Sequence, residues 1–424
     1  MNIVITIDKS TFQSLSFPEL MRLSSYYEHN VAPVLVMEIL GDLKKERQEG
    51  ETPSDIRVKD FATKLFPMYS VVNAYYRTLV KGELSGDPVK MDGRPTLDIE
   101  KVIQPDDHRK GMVVRETAEE KAIYKWKDGK FTDADDDLSQ LWRNLTTHEN
   151  LLKNLQKILQ ATEHEKLKSF DQLDNKVNSI LSDHSLQDRL LAYMIDNYGE
   201  GEIDGVSIFN RWIVENRPLL TDFAPYTAYC LKVELLFHFG LQSELIGTLP
   251  TNQVDLEYLY YLPFCNVFTS NDKIHKQLVP LLVREDQQFI VGTELKKDFK
   301  QIVDYLEKEG EEVKKKFVNE PPILEDSLTY GLWEKYFDYP KSGNMNRNLS
   351  EEALSKMKST MDKVIKASEG EAVDFDEGEA EEFVVKKSYL SMNDPCYCGS
   401  GKKVIDCCIP KEEFLRLSQK NKNQ

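Results

Sequence analysis

At 424 residues, with 40% hydrophobic and 30% charged residues, the chain is too long for one small core and reads as a soluble, helix-rich protein of two or three domains. The formal net charge of −17 excludes a surface that is basic throughout, so any nucleic-acid affinity must be local, at clusters such as Lys44, Lys45 and Arg47, Lys296, Lys297 and Lys300, or Lys314 to Lys316. No apolar run is long enough to span a bilayer, and the N-terminus lacks the basic and apolar regions of an export signal, so the cytoplasm is the expected compartment.

Residues 2–7 alternate and then run apolar, the pattern of a buried first strand, and Asp8 follows it directly. Ser16-Phe-Pro-Glu19 is a helix-start signature, with Ser16 at the N-cap, Pro18 in the first turn and Glu19 three residues on; the helix should reach about Tyr27. Val31 to Val36 reads as a second short strand, with a helix from Met37 to Glu46 opening out of it and Glu38 in its first turn. Lys127-Asp-Gly-Lys130, flanked by Ile123-Tyr-Lys-Trp and Phe131-Thr, predicts a two-residue β-hairpin. Asp133 and Asp135 to Asp137 mark a loop or a helix start. From about 138 to 245 the periodicity is helical, and Pro225 to Leu241 should be a buried helix because it is apolar on most faces. Strand character returns at Phe264 to Ser270, just ahead of Asp272, and at Phe289 to Gly292. Helices are expected over about Glu294 to Phe317 and Ser350 to Ala367. Eight acids then crowd between Glu369 and Glu382 with no Lys or Arg among them, followed by a cysteine-rich tail.

Strands at both ends of the first 300 residues, with a helical mass between, imply one α/β domain carrying an insertion too long to be a loop. Asp8, Glu38 and Asp272 all stand just past strands, and in an open parallel sheet ligands gather beyond the carboxyl ends of the strands. Carboxylates brought to one rim repel and raise one another's pKa values unless a cation holds them. A hard, oxygen-seeking ion, Mg2+ or Mn2+, is the natural occupant, which points to a metal-dependent phosphodiesterase.

The order of these acids resembles that of PIN-like ribonuclease domains, small α/β/α sandwiches on a parallel sheet. The matching residues are Asp8 in Thr-Ile-Asp-Lys-Ser, Glu38 in Val-Met-Glu-Ile-Leu, Asp255 in Val-Asp-Leu-Glu-Tyr-Leu and Asp272 in Phe-Thr-Ser-Asn-Asp-Lys. The resemblance implies a PIN-like domain in two parts, 1–45 and 220–300, split by a mainly helical insertion at 46–219, with single-stranded RNA as substrate. It also implies that Asp8, Glu38, Asp255 and Asp272 are the catalytic acids and hold one or two ions that activate water and stabilise the leaving oxygen. Asp42, one turn after Glu38, either reaches a metal or its water shell or sits on the surface near Lys45 and Glu46. Ser10 and Ser270 are placed to hydrogen-bond the carboxylates, or to make turns. His275 is a candidate proton carrier, although water activated by a metal needs none. Tyr258, Tyr260 and Tyr261 offer stacking faces or belong to the core.

Beyond a helical extension at 301–367 and an acidic linker at 368–392, the tail at 393–412 holds Cys396-Tyr-Cys398 and Cys407-Cys408. Four thiolates at this spacing can close a tetrahedron about Zn2+, with Gly399-Ser-Gly-Lys-Lys supplying the turn. A disulfide reading fails, because adjacent cysteines pair poorly and the cytosol is reducing. The run from Asn393-Asp-Pro-Cys to Cys408 resembles the SEC-C motif, whose closed zinc site is structural and serves docking. Lys402 and Lys403 beside it could meet an acidic partner or RNA. A non-catalytic adaptor, docking a ribosome, translocon or defence partner through this knuckle, is therefore the rival to the nuclease. The linker's carboxylates suggest a nucleic-acid mimic that shields the acidic site. Cys230 and Cys265, in apolar surroundings, are expected to be inert core residues.

Overall fold

The computed structural model describes residues 3–45, 51–65, 70–97, 99–106, 109–114, 117–147, 166–199, 202–249 and 251–337. The N-terminal elements are β1 (Ile3–Ile7), α1 (Lys9–Ser14), α2 (Phe17–Tyr26), β2 (Tyr27–Val31), α3 (Pro33–Gly41), α4 (Ser54–Leu65), β3 (Ser70–Val72) and α5 (Tyr76–Ser85). A hairpin of β4 (Ile99–Asp106) and β5 (Arg109–Val114) follows, then α6 (Ala118–Trp126) and α7 (Asp133–Leu145). The central helices are α8 (Phe170–Ser182), α9 (Gln187–Gly199), α10 (Gly205–Val214), α11 (Leu220–Phe223) and α12 (Pro225–Gln242). The last group is α13 (Asn252–Leu259), β6 (Val267–Ser270), α14 (Lys273–Leu278), β7 (Gln288–Val291), α15 (Gly292–Lys308), α16 (Glu311–Lys316) and α17 (Leu328–Phe337).

Five strands form one parallel sheet in the order β3-β2-β1-β6-β7. The α/β class expected from the sequence therefore holds. All five residues of β1 and all four of β6 are buried, as strands covered on both faces must be. On one face Phe12 of α1 stacks on His29 of β2 at a ring-centroid distance of 6.3 Å, and Phe299 of α15 meets Tyr27 at 6.2 Å. On the other, Phe268 of β6 packs edge-on against His275 of α14 at 5.1 Å. The chain steps outward from β1 through β2 to β3, then returns to place β6 and β7 on the opposite side of β1. That reversal opens a crevice at the carboxyl ends of β1 and β6.

Three expectations need correction. The second strand is Tyr27–Val31, not Val31 to Val36; the apolar run after it is helix α3, because Pro33 sits in its first turn where a missing N–H costs nothing. Lys127 to Gly129 closes no hairpin. Gly129, at φ 70°, turns the chain between α6 and α7, and the Asp135 carboxylate takes the Thr132 N–H at 2.7 Å and the Trp126 indole N–H at 3.0 Å. The aspartate knot is thus a helix start. The true hairpin, β4 with β5, lies earlier and belongs to a separate unit of the chain. Pro225–Gln242 is a helix with ten buried residues, as its composition demanded, and it opens on the buried Glu83, which accepts the N–H groups of Tyr226 and Thr227 at 3.1 and 2.7 Å. The sheet also draws β3 from inside the stretch 46–219 read as an insertion. The helix expected over 350–367, the acidic linker and the cysteine tail lie outside the described residues.

Candidate metal centre

Asp8 ends β1 and caps α1. Its Oδ1 accepts the Thr11 N–H at 2.9 Å, while Oδ2 accepts the hydroxyls of Ser10 and Ser270, each at 2.7 Å. A cap role and a site role coexist here, because a carboxylate has lone pairs enough for both. Asp272 also stands at an N-cap, that of α14, yet its side chain makes no cap bond. It turns instead toward Asp8, and the ligand atoms of Asp8, Asp272 and His275 lie within 4.8 Å of one another. Burial, the hydrogen bond to Asp8, and the charges of Asp8 and Glu38 all raise Asp272. Burial alone would raise Asp8 too, but its bonds to Asp272, Thr11 and Ser10 and the proximity of His275 outweigh it and hold Asp8 low.

Glu38 reaches the crevice from α3, whose C-terminal end is pinned by α7. The Ser139 hydroxyl donates to the Leu40 carbonyl at 2.8 Å, and Trp142 packs so closely on Gly41 that a Cβ there would lie 2.5 Å from the indole. The Glu38 carboxylate accepts the Tyr258 hydroxyl at 2.5 Å. Burial raises its pKa against the pull of Lys9 and of that hydrogen bond, and the charges of Asp8 and Asp42 add to the rise. Asp255, on α13, is pushed up to about 8 by burial and by the charges of Asp272, Glu38 and Asp8. No hydrogen bond to its carboxylate is found among the described residues.

Of the four acids named from the sequence, Asp8 and Asp272 come within ligand distance of each other and of His275, whereas Glu38 of α3 and Asp255 of α13 lie outside that group and are felt there through their charges. Asp42 is not free to join them. It is buried between Lys9 Nζ at 3.0 Å and Arg57 Nε at 3.3 Å rather than lying on the surface beside Lys45. Ser10 and Ser270 do bond a carboxylate. Ser270 is the hub: its Oγ also accepts the Asp272 N–H at 2.9 Å and lies 2.7 Å from His275 Nδ1. His275 is fully buried, with Nε2 2.7 Å from the Asp255 carbonyl oxygen, so both ring nitrogens are engaged and the ring ties α14 to α13. That geometry suits a brace better than a proton carrier. Burial also depresses its pKa, against the opposing charge of Asp8 and its bond to Asp255.

Tyr258, Tyr260 and Tyr261 are core residues, at 1%, 4% and 1% exposure. Sequence reasoning missed the Tyr258 hydroxyl as the partner of Glu38, and it missed Glu257, which burial pushes up to about 7 while Arg77 pulls it down and Glu38 pushes it up. An acid two residues beyond Asp255 was the available signal. Cys230 and Cys265 are buried free thiols, as expected. Asp8 and Asp272, whose ligand atoms lie within 4.8 Å of each other and of His275, offer carboxylate oxygens of the kind that a hard divalent cation takes.

Residues 392–410 match the SEC-C motif, so Cys396, Cys398, Cys407 and Cys408 fall within it, although they lie outside the described residues. No curated protein and no solved structure matches the chain. Among the described residues no helix is long and apolar enough to cross a membrane.

Proposed function

We propose that the chain is a PIN-like, Mg2+- or Mn2+-dependent ribonuclease with a C-terminal zinc knuckle. The observation that carries this reading is the close approach of Asp8 and Asp272, with His275, at the strand-order reversal of a parallel sheet, where the charges of Glu38 and Asp255 are also felt. Those carboxylates would hold the divalent ion, which supplies positive charge for a phosphodiester and lowers the pKa of water. The protein's part is positional. Ser10 and Ser270 aim Asp8, Tyr258 aims Glu38, and His275 fixes the distance between the helices that carry Asp255 and Asp272. Single-stranded RNA is the substrate class the resemblance favours. Cys396, Cys398, Cys407 and Cys408 would hold Zn2+ in a closed, structural set.

The SEC-C match supports a second reading, a non-catalytic adaptor that docks a protein or ribosomal partner through the tail. The test is cleavage of labelled single-stranded RNA with Mn2+, comparing wild type with Asp8→Asn and Asp272→Asn. Metal-dependent cutting that either change reduces by about 100-fold or more supports the nuclease. No cutting by folded wild type, across metals and RNA forms, leaves the adaptor.

A further inference from the structure

Helix α15 opens directly from the end of β7, and β7 lies beside β6, so the first turn of α15 stands on the same carboxyl edge of the sheet as Asp272. Its N-cap is Val291, which offers no side-chain cap. Asn271, the residue before Asp272, reaches over from the end of β6, and its Oδ1 accepts the Thr293 N–H at 2.9 Å. That bond fixes which end of the amide is which, and it leaves Nδ2 2.8 Å from the point that a Cβ on Gly292 would occupy. Thr11 Oγ1 converges on the same point, 2.2 Å from it. Thr11 is fully buried, and its hydroxyl finds no hydrogen-bond partner among the described residues. A buried hydroxyl without a partner costs free energy, and native structures hold few of them. Three kinds of donor therefore meet here: a hydroxyl, a side-chain amide and the first-turn N–H groups of a 17-residue helix, which have no acceptor within it. With glycine at 292, no Cβ stands between them.

We infer that Thr11, Asn271 and the start of α15 form an anion subsite, and that its ligand is a phosphate of single-stranded RNA one linkage away from the phosphate held at Asp8 and Asp272. A phosphate oxygen accepts hydrogen bonds and donates none, so it matches a spot made of donors, and a helix N-terminus favours negative charge. The subsite adjoins the acids on both stretches of chain. The Thr11 N–H donates to Asp8 Oδ1 at 2.9 Å, and Asn271 directly precedes Asp272. A strand whose phosphate lies at the two acids has its neighbouring linkage within reach of α15. Glu294, exposed in the same turn, works against an anion there. The inference rests on the nuclease reading above for the strand itself.

The experiment uses the full chain with Mn2+ and a short single-stranded RNA in which one linkage at a time is a neutral methylphosphonate. Each strand has a phosphodiester control carrying the same 2′-O-methyl group. A neutral linkage one step from the cut, on one side only, should slow cutting about tenfold or more, as loss of a charge-assisted hydrogen bond does. Thr11→Val should slow the ordinary strand and make cutting indifferent to that neutral linkage. This variant keeps the backbone N–H that Asp8 accepts and breaks no side-chain hydrogen bond, so its melting temperature should not fall. Glu294→Gln should quicken cutting. The methylphosphonate arm needs no variant, so it is independent of any folding defect. Cutting indifferent to every neutral linkage but the scissile one, or a Thr11→Val protein as sensitive as wild type, overturns the subsite and leaves the nuclease standing. Inorganic phosphate, titrated by calorimetry in EDTA, reads the subsite without cutting. Phosphate binding that Thr11→Val abolishes, with no strand cut, keeps the anion subsite and overturns the nuclease. Neither cutting nor phosphate binding removes both.

Discussion

Asp255 and His29 are buried titratable groups whose burial works on stability in opposite senses. The Asp255 carboxyl, pushed up to about 8 by burial and by its acidic neighbours, holds a proton in the folded state over a range where the unfolded chain has lost it. A folded pKa above the unfolded one gives stability that is whole below about pH 4 and is lost as pH rises toward 8. In EDTA the melting temperature should therefore fall as pH rises from 5 to 8, and Asp255→Asn should flatten that fall. An unchanged slope in the variant would refute the assignment. Mn2+ at pH 8 should raise the melting temperature of wild type more than that of the variant. His29 carries the reverse sign. It is fully buried on β2, both ring nitrogens lack a partner, and burial pushes it down to about 3. Its contribution is whole above about pH 6.5 and is lost, at about 1.4 kcal/mol per pH unit, as pH falls toward 3. His29→Leu should shallow the acid limb of a urea-stability profile measured from pH 7 to 4; an acid limb as steep as the wild type's would count against this.

The short helix α1 decides where Asp8 points, and it is fixed at both ends. Asp8 caps its start, and at its finish Lys64 donates to the Leu15 carbonyl at 3.0 Å while Lys296 donates to the Ser14 carbonyl. Its flank is set by Gly292 at the start of α15, where a Cβ would lie 2.2 Å from Thr11 Oγ1 and 2.8 Å from Asn271 Nδ2. Thr11 is β-branched and buried, so it cannot swing aside cheaply. Gly292→Ala should cost about 1–3 kcal/mol in urea denaturation and weaken Mn2+ binding by calorimetry, because it displaces the helix that Asp8 caps. Retained Mn2+ affinity would show that α1 does not set the site. Strands β1 and β6 were legible because they are apolar runs ended by acids. Strand β2, Tyr-Glu-His-Asn-Val, was not: His29 answers to Phe12, and Asn30 donates to Thr6 at 2.9 Å and accepts from Asn73 at 3.0 Å. Those partners lie far away in sequence, and β3, at three residues, is too short to show a period. Asp8 and Asp272 could be read from their places beside strands, but Glu38 was read beside a strand that is helix α3 and Asp255 from the resemblance alone, and the engagement of Asp42 with Arg57 and of Glu38 with Tyr258 depends on folding that no local pattern records.

At the scale of the whole molecule, the acidic site and the cysteine tail are separate pieces of chemistry. The carboxylates all belong to one compact unit of the chain, whereas the SEC-C match lies in residues 392–410. Removing residues 393–424 should abolish zinc, measured by plasma mass spectrometry, and leave Mn2+ affinity unaltered; loss of both metals together would overturn that division. If the acidic linker shields the site, removing residues 368–424 should raise RNA cleavage above that of the shorter truncation. Equal rates would dismiss the linker as a shield.

The pairing of β1 with β6, in which Ile5 meets Val267, also sets a clock. Asp8 leaves the ribosome 264 residues ahead of Asp272, an interval of roughly 13–53 s at about 5–20 residues per second. Until then Asp8 has no Asp272 to meet, and the edge of β1 that will pair with β6 lacks its strand. Whatever chemistry the acids perform, a chain built in this order cannot begin it until its own synthesis is well past half done.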